Sequence, residues 1–156
     1  MSQFRPIALC NSAAKVIAKV LAMRLKKFLP SVILDSQSAF VPNRLITNNI
    51  LLAYDAHHLI KHRKHCNQLL MSIKLDMLKA YDRIEWAFMK AMLLQLGFSH
   101  KWVHLIMQYV ESINYSLLLN GEQVGYIKPD KGLRQGGPLS LYFFIVCTEG
   151  LITLLN

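Results

Sequence analysis

Apolar positions recur with a helical period from the start of the chain. Ile17, Leu21, Leu25 and Phe28 fall on one face, and Lys15, Lys19 and Lys26 on another. Asn11 can cap this helix, and Pro30 is its expected stop. Residues 35–44 are polar and turn-rich and read as a loop; a second helix is expected over about 47–61. Residues 69–76 then alternate, with Met71, Ile73 and Leu75 on one side and Ser72, Lys74 and Asp76 on the other. That period of two predicts a strand carrying a carboxylate at its carboxyl end. A helix over 84–96 is closed by Gly97, and Ser99 caps another to about residue 111. Residues 115–127 form a hairpin pattern in which Asn120-Gly121 supplies the positive φ of a type I′ turn. The glycine-rich stretch 132–140 leads into a last, strongly apolar helix over 139–156. Helices and strands mix without regular βαβ alternation, and the clear strand pair is antiparallel, so the expected class is α+β.

Composition adds scale and charge. The 156 residues amount to one domain; 53% are hydrophobic and 17% charged, which excludes a disordered tail. Eighteen Lys and Arg face nine Asp and Glu, a net charge of +9. That balance favours an anionic partner, with nucleic acid ahead of a membrane surface. No membrane span is expected, because the longest uncharged stretch, residues 135–148, has 14 residues, against the roughly 18–20 a bilayer requires. The amino terminus lacks a signal-peptide core, so an intracellular location, cytoplasm or nucleus, is expected rather than secretion. The mean hydropathy of +0.28 is high for a lone domain and points to a surface for a partner or for further sequence. The last apolar helix stops without a cap and reads as cut off.

Cys10, Cys66 and Cys147 are far apart and form no C-x-x-C, so neither a disulfide framework nor a zinc ribbon is indicated. His57, His58, His62, His65 and Cys66 lack finger spacing and read as polar-face residues, beside the basic run Lys61-His-Arg-Lys-His65. Trp86, Phe88 and Trp102 read as core anchors.

Three segments carry candidate chemistry. In Lys74-Leu-Asp76 the strand-end carboxylate can point its oxygens at Mg²⁺, which takes one or two carboxylates and completes its shell with substrate phosphates. The same Asp suits a turn or a cap. Tyr81, five residues on, can wall that site. In Gly132-Leu-Arg-Gln-Gly136 bare backbone precedes a helix N-terminus, which favours phosphate, although the Walker spacing is absent. Arg5 and Arg44 each stand beside a proline-stiffened turn, suited to a fixed bidentate phosphate contact.

Together these segments resemble the reverse-transcriptase domain of non-LTR (LINE-type) retrotransposons, most closely the plant elements. Phe4-Arg-Pro-Ile-Ala-Leu-Cys-Asn11 is similar to the family's fingers opening. Gln37-Ser-Ala-Phe-Val-Pro-Asn-Arg44 with Asn49-Ile-Leu-Leu-Ala53 is similar to its next block. Residues 74–86 resemble the first palm motif, Asn120-Gly121 its usual hairpin, and residues 132–136 the second palm motif. The blocks follow the family's order over essentially the whole chain.

The resemblance implies a partial right-hand polymerase, with residues 1–68 fingers-like and 69–156 an incomplete palm with fingers elements. It implies RNA-directed DNA polymerase chemistry: template-directed dNTP addition by two Mg²⁺ ions, with Mn²⁺ as a substitute. Asp76 would be a catalytic carboxylate binding the metal, and the Met77 carbonyl a further ligand. Tyr81 would be the steric gate against a ribonucleotide 2′-hydroxyl. Gln135 and Gly136 would shape the floor beneath nucleotide and template, and Arg5 and Arg44 would line the triphosphate or template path. RNA template, DNA primer and dNTPs are the implied partners, together with palm and thumb segments of a longer polyprotein. Four positions depart from the family's pattern: Gly137 stands where the family usually has Asp, Leu141 where it has Pro, Asn48 where it has Asp, and Leu78 where it has Ser. No two of the nine acids are adjacent, so the family's Asp-Asp pair is missing and this chain alone is expected to be inactive. The alternative is a non-catalytic nucleic-acid-binding remnant that uses the lysine face of the first helix.

Overall fold

The computed structural model describes residues 11–62 and 70–155. Five α-helices, one 3-10 turn and one antiparallel hairpin make up these residues, a mixed helix and small-sheet architecture in line with the expected α+β class.

Helix α1 (Ser12–Val32) begins where Asn11 Oδ1 accepts the Ala13 N–H at 3.1 Å. It does not stop at Pro30, as the sequence implied, but runs on to Val32. Pro30 sits in the last turn, where it removes one helical hydrogen bond. The helix closes beyond it through Ile33 N–H to Leu29 O at 3.0 Å, and Ser31 Oγ donates to Phe28 O at 2.7 Å. Its buried stripe is Ala18, Leu21, Ala22, Leu25 and Leu29, one position round from the expected face. Ile17 and Phe28 are exposed. The alanines decide this: they allow α1 to approach its neighbour closely on that side.

Helix α2 (Ile46–His62) matches its expected span but buries no residue. Residues 70–76 form no strand among the described residues. Their alternation is present, yet a strand needs a neighbour for its N–H and C=O groups, and the described sheet contains only the hairpin. A 3-10 turn follows at Ala80–Arg83, entered through Lys79 at φ +52°.

Helix α3 (Trp86–Gln95) starts later than its pattern suggested. Ile84 and Glu85 are extended instead: Glu85 pairs with Lys131, and the Ile84 carbonyl accepts the Gly132 N–H. Gly97, at φ +87°, ends this region with Phe98 N–H donating to Leu93 O at 3.1 Å. Ser99 caps α4 (His100–Glu111), its Oγ accepting the Trp102 N–H at 3.4 Å.

Strands β1 (Tyr115–Leu119) and β2 (Glu122–Ile127) pair in the expected register about Asn120 and Gly121, at φ +51° and +89°. The pairing of Tyr115 with Ile127 but Leu117 with Val124 leaves one extra residue on β2, and Gly125 at φ +73° accommodates it. Helix α5 (Ser140–Leu155) closes the described chain.

The core lies where α5 packs on α3 and α1, with α4 against α3. Leu25, Leu29, Met89, Leu93, Val103, Ile106, Phe143, Ile145 and Val146 are fully buried there. Trp86 and Trp102 pack against this core as expected, whereas Phe88 is half-exposed because it turns toward a cavity beside α5. No described helix is long and apolar enough to cross a membrane.

One acid is inside. Glu149, the single acid of α5, is buried, and its Oε1 accepts the Leu34 N–H at 2.9 Å. It ties α5 to the chain leaving α1. Burial also pushes the Cys147 thiol up to about 12 from an ordinary 9.0. The folded state therefore keeps the thiol proton where the unfolded chain loses it, and this contribution to stability fades as pH rises from about 9 to about 12. We expect iodoacetamide at pH 8.5 to leave Cys147 essentially unmodified in the folded chain and to label it fully in urea. Peptide mass spectrometry reads the difference, and equal labelling in both states refutes the burial.

Candidate functional site

Two cavities flank the segment that carries Asp76. The first, about 970 Å³, opens between α3 and α5 and is lined by Asp76, Met77, Arg83, Glu85, Phe88 and Phe144 among others. The second, about 700 Å³, lies under the hairpin and is lined by Asp82, Trp86, Lys131, Arg134 and Gln135 among others. Asp76 and Met77 thus share one cavity, while Gln135 faces the other.

Tyr81 lies against Phe144, a wall of the first cavity. Its ring stacks on Phe144 with centroids 5.1 Å apart and planes 11° from parallel. Its carbonyl accepts the Leu133 N–H at 2.8 Å. Burial raises the Tyr81 phenol above its ordinary value of 10.0.

The glycine-rich loop is laid on this same segment. Gly132 N–H donates to Ile84 O at 2.7 Å, and the Trp86 indole Nε1–H donates to Gly132 O at 2.8 Å. Gly132 takes φ +89°, and a Cβ there would meet the Asp82 carbonyl at 3.3 Å, so the close approach requires glycine. Farther along, Gly137 N–H donates to Arg134 O at 3.2 Å, and the Ser140 hydroxyl donates to the same carbonyl. The Ser140 hydroxyl thereby braces the loop from the first turn of α5. A Cβ on Gly137 would lie 2.9 Å from Ser140 Oγ, so a side chain there displaces that brace. Gln135 and Gly136 form the exposed tip of the loop.

The arginines divide. Arg5 lies outside the described residues, as do Cys10, His65 and Cys66. Arg44 is bound to the carboxyl end of α1. Its Nη1 donates to Leu34 O at 2.6 Å and Gln37 O at 2.8 Å; its Nη2 donates to Ile33 O at 3.0 Å and Pro30 O at 3.3 Å. It also pairs with the fully exposed Asp35 at 3.1 Å. A guanidinium at a helix carboxyl end satisfies the last carbonyls and faces the negative end of the helix dipole. Lys15, Lys19 and Lys26 are exposed on α1.

For a divalent cation, Asp76 offers a carboxylate and Met77 a carbonyl, the hard oxygen donors that Mg²⁺ takes. This set suits an ion completed by water and phosphate, not an all-protein cage. Among the described residues no group of three or more His, Cys, Asp or Glu can hold a metal. Sequence reading missed the Phe144 stack, the Trp86 donor and Glu149. Only Glu149 left a signal, as the one acid in an apolar helix.

A family model described as reverse transcriptase (RNA-dependent DNA polymerase) matches residues 1–156. The "Transposon TX1 uncharacterized 149 kDa protein" of Xenopus laevis is 28% identical over 156 residues, which is all of this chain and 12% of that protein. The "Uncharacterized mitochondrial protein AtMg01250" of Arabidopsis thaliana is 56% identical over 34 residues, 22% of this chain and 28% of that protein. The chain therefore spans a small part of either relative.

The Arg44 geometry makes its own prediction. Arg44→Lys keeps the charge but loses the planar fork. We expect it to lower stability by about 1.5–3 kcal/mol, the scale of hydrogen bonds to a charged group. Urea denaturation measures it, and an unchanged midpoint contradicts the capping role.

Proposed function

Since the chain belongs to the reverse transcriptase (RNA-dependent DNA polymerase) family, we propose that it forms part of a template-directed DNA polymerase site in a transposon-related protein. Residues 1–68 serve as fingers and 69–156 as an incomplete palm in this reading. The observation that carries it is the docking of the Gly132–Gly136 loop on the Tyr81–Trp86 segment, which joins the two motif-bearing stretches across about 50 residues.

Asp76 and the Met77 carbonyl would hold Mg²⁺, or Mn²⁺ in its place. Bound there, the metal would supply Lewis-acid chemistry at the primer 3′-hydroxyl and the leaving pyrophosphate. The chain's own residues bind and orient. Tyr81, its ring held flat on Phe144, blocks the space of a ribonucleotide 2′-hydroxyl and so selects dNTPs. Gln135 and Gly136 support the nucleotide and template from the loop tip. Arg5 contacts the triphosphate or template, while Arg44 shapes that path by holding the 34–44 loop to α1. RNA template and DNA primer are the macromolecular partners, and the cytoplasm or nucleus is the site of action.

The nine acids contain no adjacent pair, so the 156-residue chain alone is inactive in this reading. A second reading, a binding remnant without catalysis, draws on the net charge of +9 and the exposed Lys15, Lys19 and Lys26.

Primer extension on an RNA template with dNTPs and Mg²⁺ or Mn²⁺ tests the first point. No sustained synthesis is expected; synthesis abolished by Asp76→Ala overturns the inactivity. Filter binding of an RNA–DNA primer–template tests the second. Three lysine–phosphate contacts predict a loss of roughly 20–40-fold in affinity for a fourfold rise in salt. No binding at low salt rules out template handling. Mg²⁺-dependent retention of a dNTP that disappears in Asp76→Ala separates the polymerase from the binding remnant.

A further inference from the structure

Trp86 is more than a core anchor. Its Nε1–H reaches the Gly132 carbonyl at 2.8 Å from 46 residues away, in a half-buried setting. That carbonyl belongs to the peptide between Gly132 and Leu133, whose N–H donates to Tyr81 O at 2.8 Å. Both ends of one peptide plane are therefore bound to the segment after Asp76. The preceding N–H, of Gly132, is bound too, to Ile84 O at 2.7 Å. Gly132 lies so close to Asp82 that a Cβ would be 3.3 Å from its carbonyl oxygen. The root of the loop has one place to sit.

Gln135 and Gly136 are exposed. The turn is closed by Gly137 N–H to Arg134 O at 3.2 Å, and it is carried by residues 132 and 133 on one side and α5 on the other. Rotation of the Gly132–Leu133 peptide would swing Arg134 and Gln135 relative to Tyr81. A glycine at φ +89° adds no side-chain barrier of its own, so the peptide is held by the buried Leu133 side chain and by its hydrogen bonds. Two are backbone bonds; the third is the indole. A Phe at this position could fill similar space but could not donate, because a phenyl ring carries no N–H.

We propose that Trp86 is a positioning residue: its indole N–H fixes the Gly132–Leu133 peptide plane and thereby the place of Gln135 and Gly136 relative to Tyr81 and Asp76. The positioning claim concerns the free chain. Its consequence for nucleotide binding rests on the polymerase reading above.

The decisive variant removes the donor and keeps the ring. Trp86 is replaced by 3-benzothienylalanine, in which sulfur stands for N–H, in a Trp102→Phe background; the same background with Trp86 intact is the control. Amide hydrogen exchange is followed by NMR without nucleotide. We expect the Gly132, Leu133 and Gly137 amides to exchange about tenfold faster, the size of one lost hydrogen bond, while the buried amides of α4 and α5 keep their rates. Unchanged exchange at those three amides overturns the proposal. So does a parallel acceleration throughout α4 and α5, since that is the signature of a packing residue. The second arm measures Mg²⁺-dependent dNTP retention, expected to weaken by about tenfold in the benzothienyl chain. If the exchange arm holds and the control retains no dNTP, the nucleotide-site reading fails and the positioning role stands.

Discussion

Everything proposed for this chain depends on one contact, the laying of the Gly132–Leu133 backbone against the backbone from Tyr81 to Ile84. It is a short antiparallel-like docking of two segments that are not strands of the described sheet, extended by the bridge between Glu85 and Lys131. The contact satisfies backbone groups that would otherwise be left half-buried without partners. It also sets the start of α3, because Ile84 and Glu85 are occupied in it and cannot join the helix. Tyr81, Trp86 and the glycine loop therefore take their positions from the same few hydrogen bonds.

That contact needs a rigid backing, and α5 provides it. Its residues Phe143, Ile145 and Val146 are fully buried against neighbouring helices, and Phe144 turns the other way to stack on Tyr81. Ser140 at its first turn braces Arg134, and Glu149 two turns later holds Leu34. One helix thus connects the loop, the tyrosine and the chain leaving α1. Leu34 links onward through its carbonyl to Arg44, whose guanidinium closes the end of α1. In contrast, α2 and residues 70–78 offer large apolar side chains to solvent, including Leu51, Leu52, Met71 and Leu78. That surface carries the excess hydropathy evident in the composition.

Much of the fold was legible because local chemistry dictated it. Asn11 and Ser99 are caps wherever they occur before a helical pattern, and Asn120-Gly121 is a turn because few other pairs tolerate two positive φ values. The candidate residues Asp76, Met77, Tyr81, Gln135 and Gly136 were legible from motif order. Failures came where the deciding partner was distant. The alternation of residues 70–76 could not reveal that no described neighbour pairs with it. The stripe on α1 was misread by one position because small Ala18 and Ala22, not large Ile17 and Phe28, meet the packed neighbour.

The sequence by itself determined the helices, the hairpin turn, the basic character and the family of this chain, since each follows from residues close in sequence or from motif order. Only the tertiary structure decided that Arg44 caps a helix, that Phe144 supports Tyr81, that Ser140 braces the Arg134 carbonyl, and that Trp86 holds the glycine loop. Each of those depends on where a particular N–H, carbonyl or ring edge comes to lie in space. A hydrogen bond is decided by tenths of an ångström and by direction, and no periodicity or composition along a chain encodes that for groups up to about a hundred residues apart.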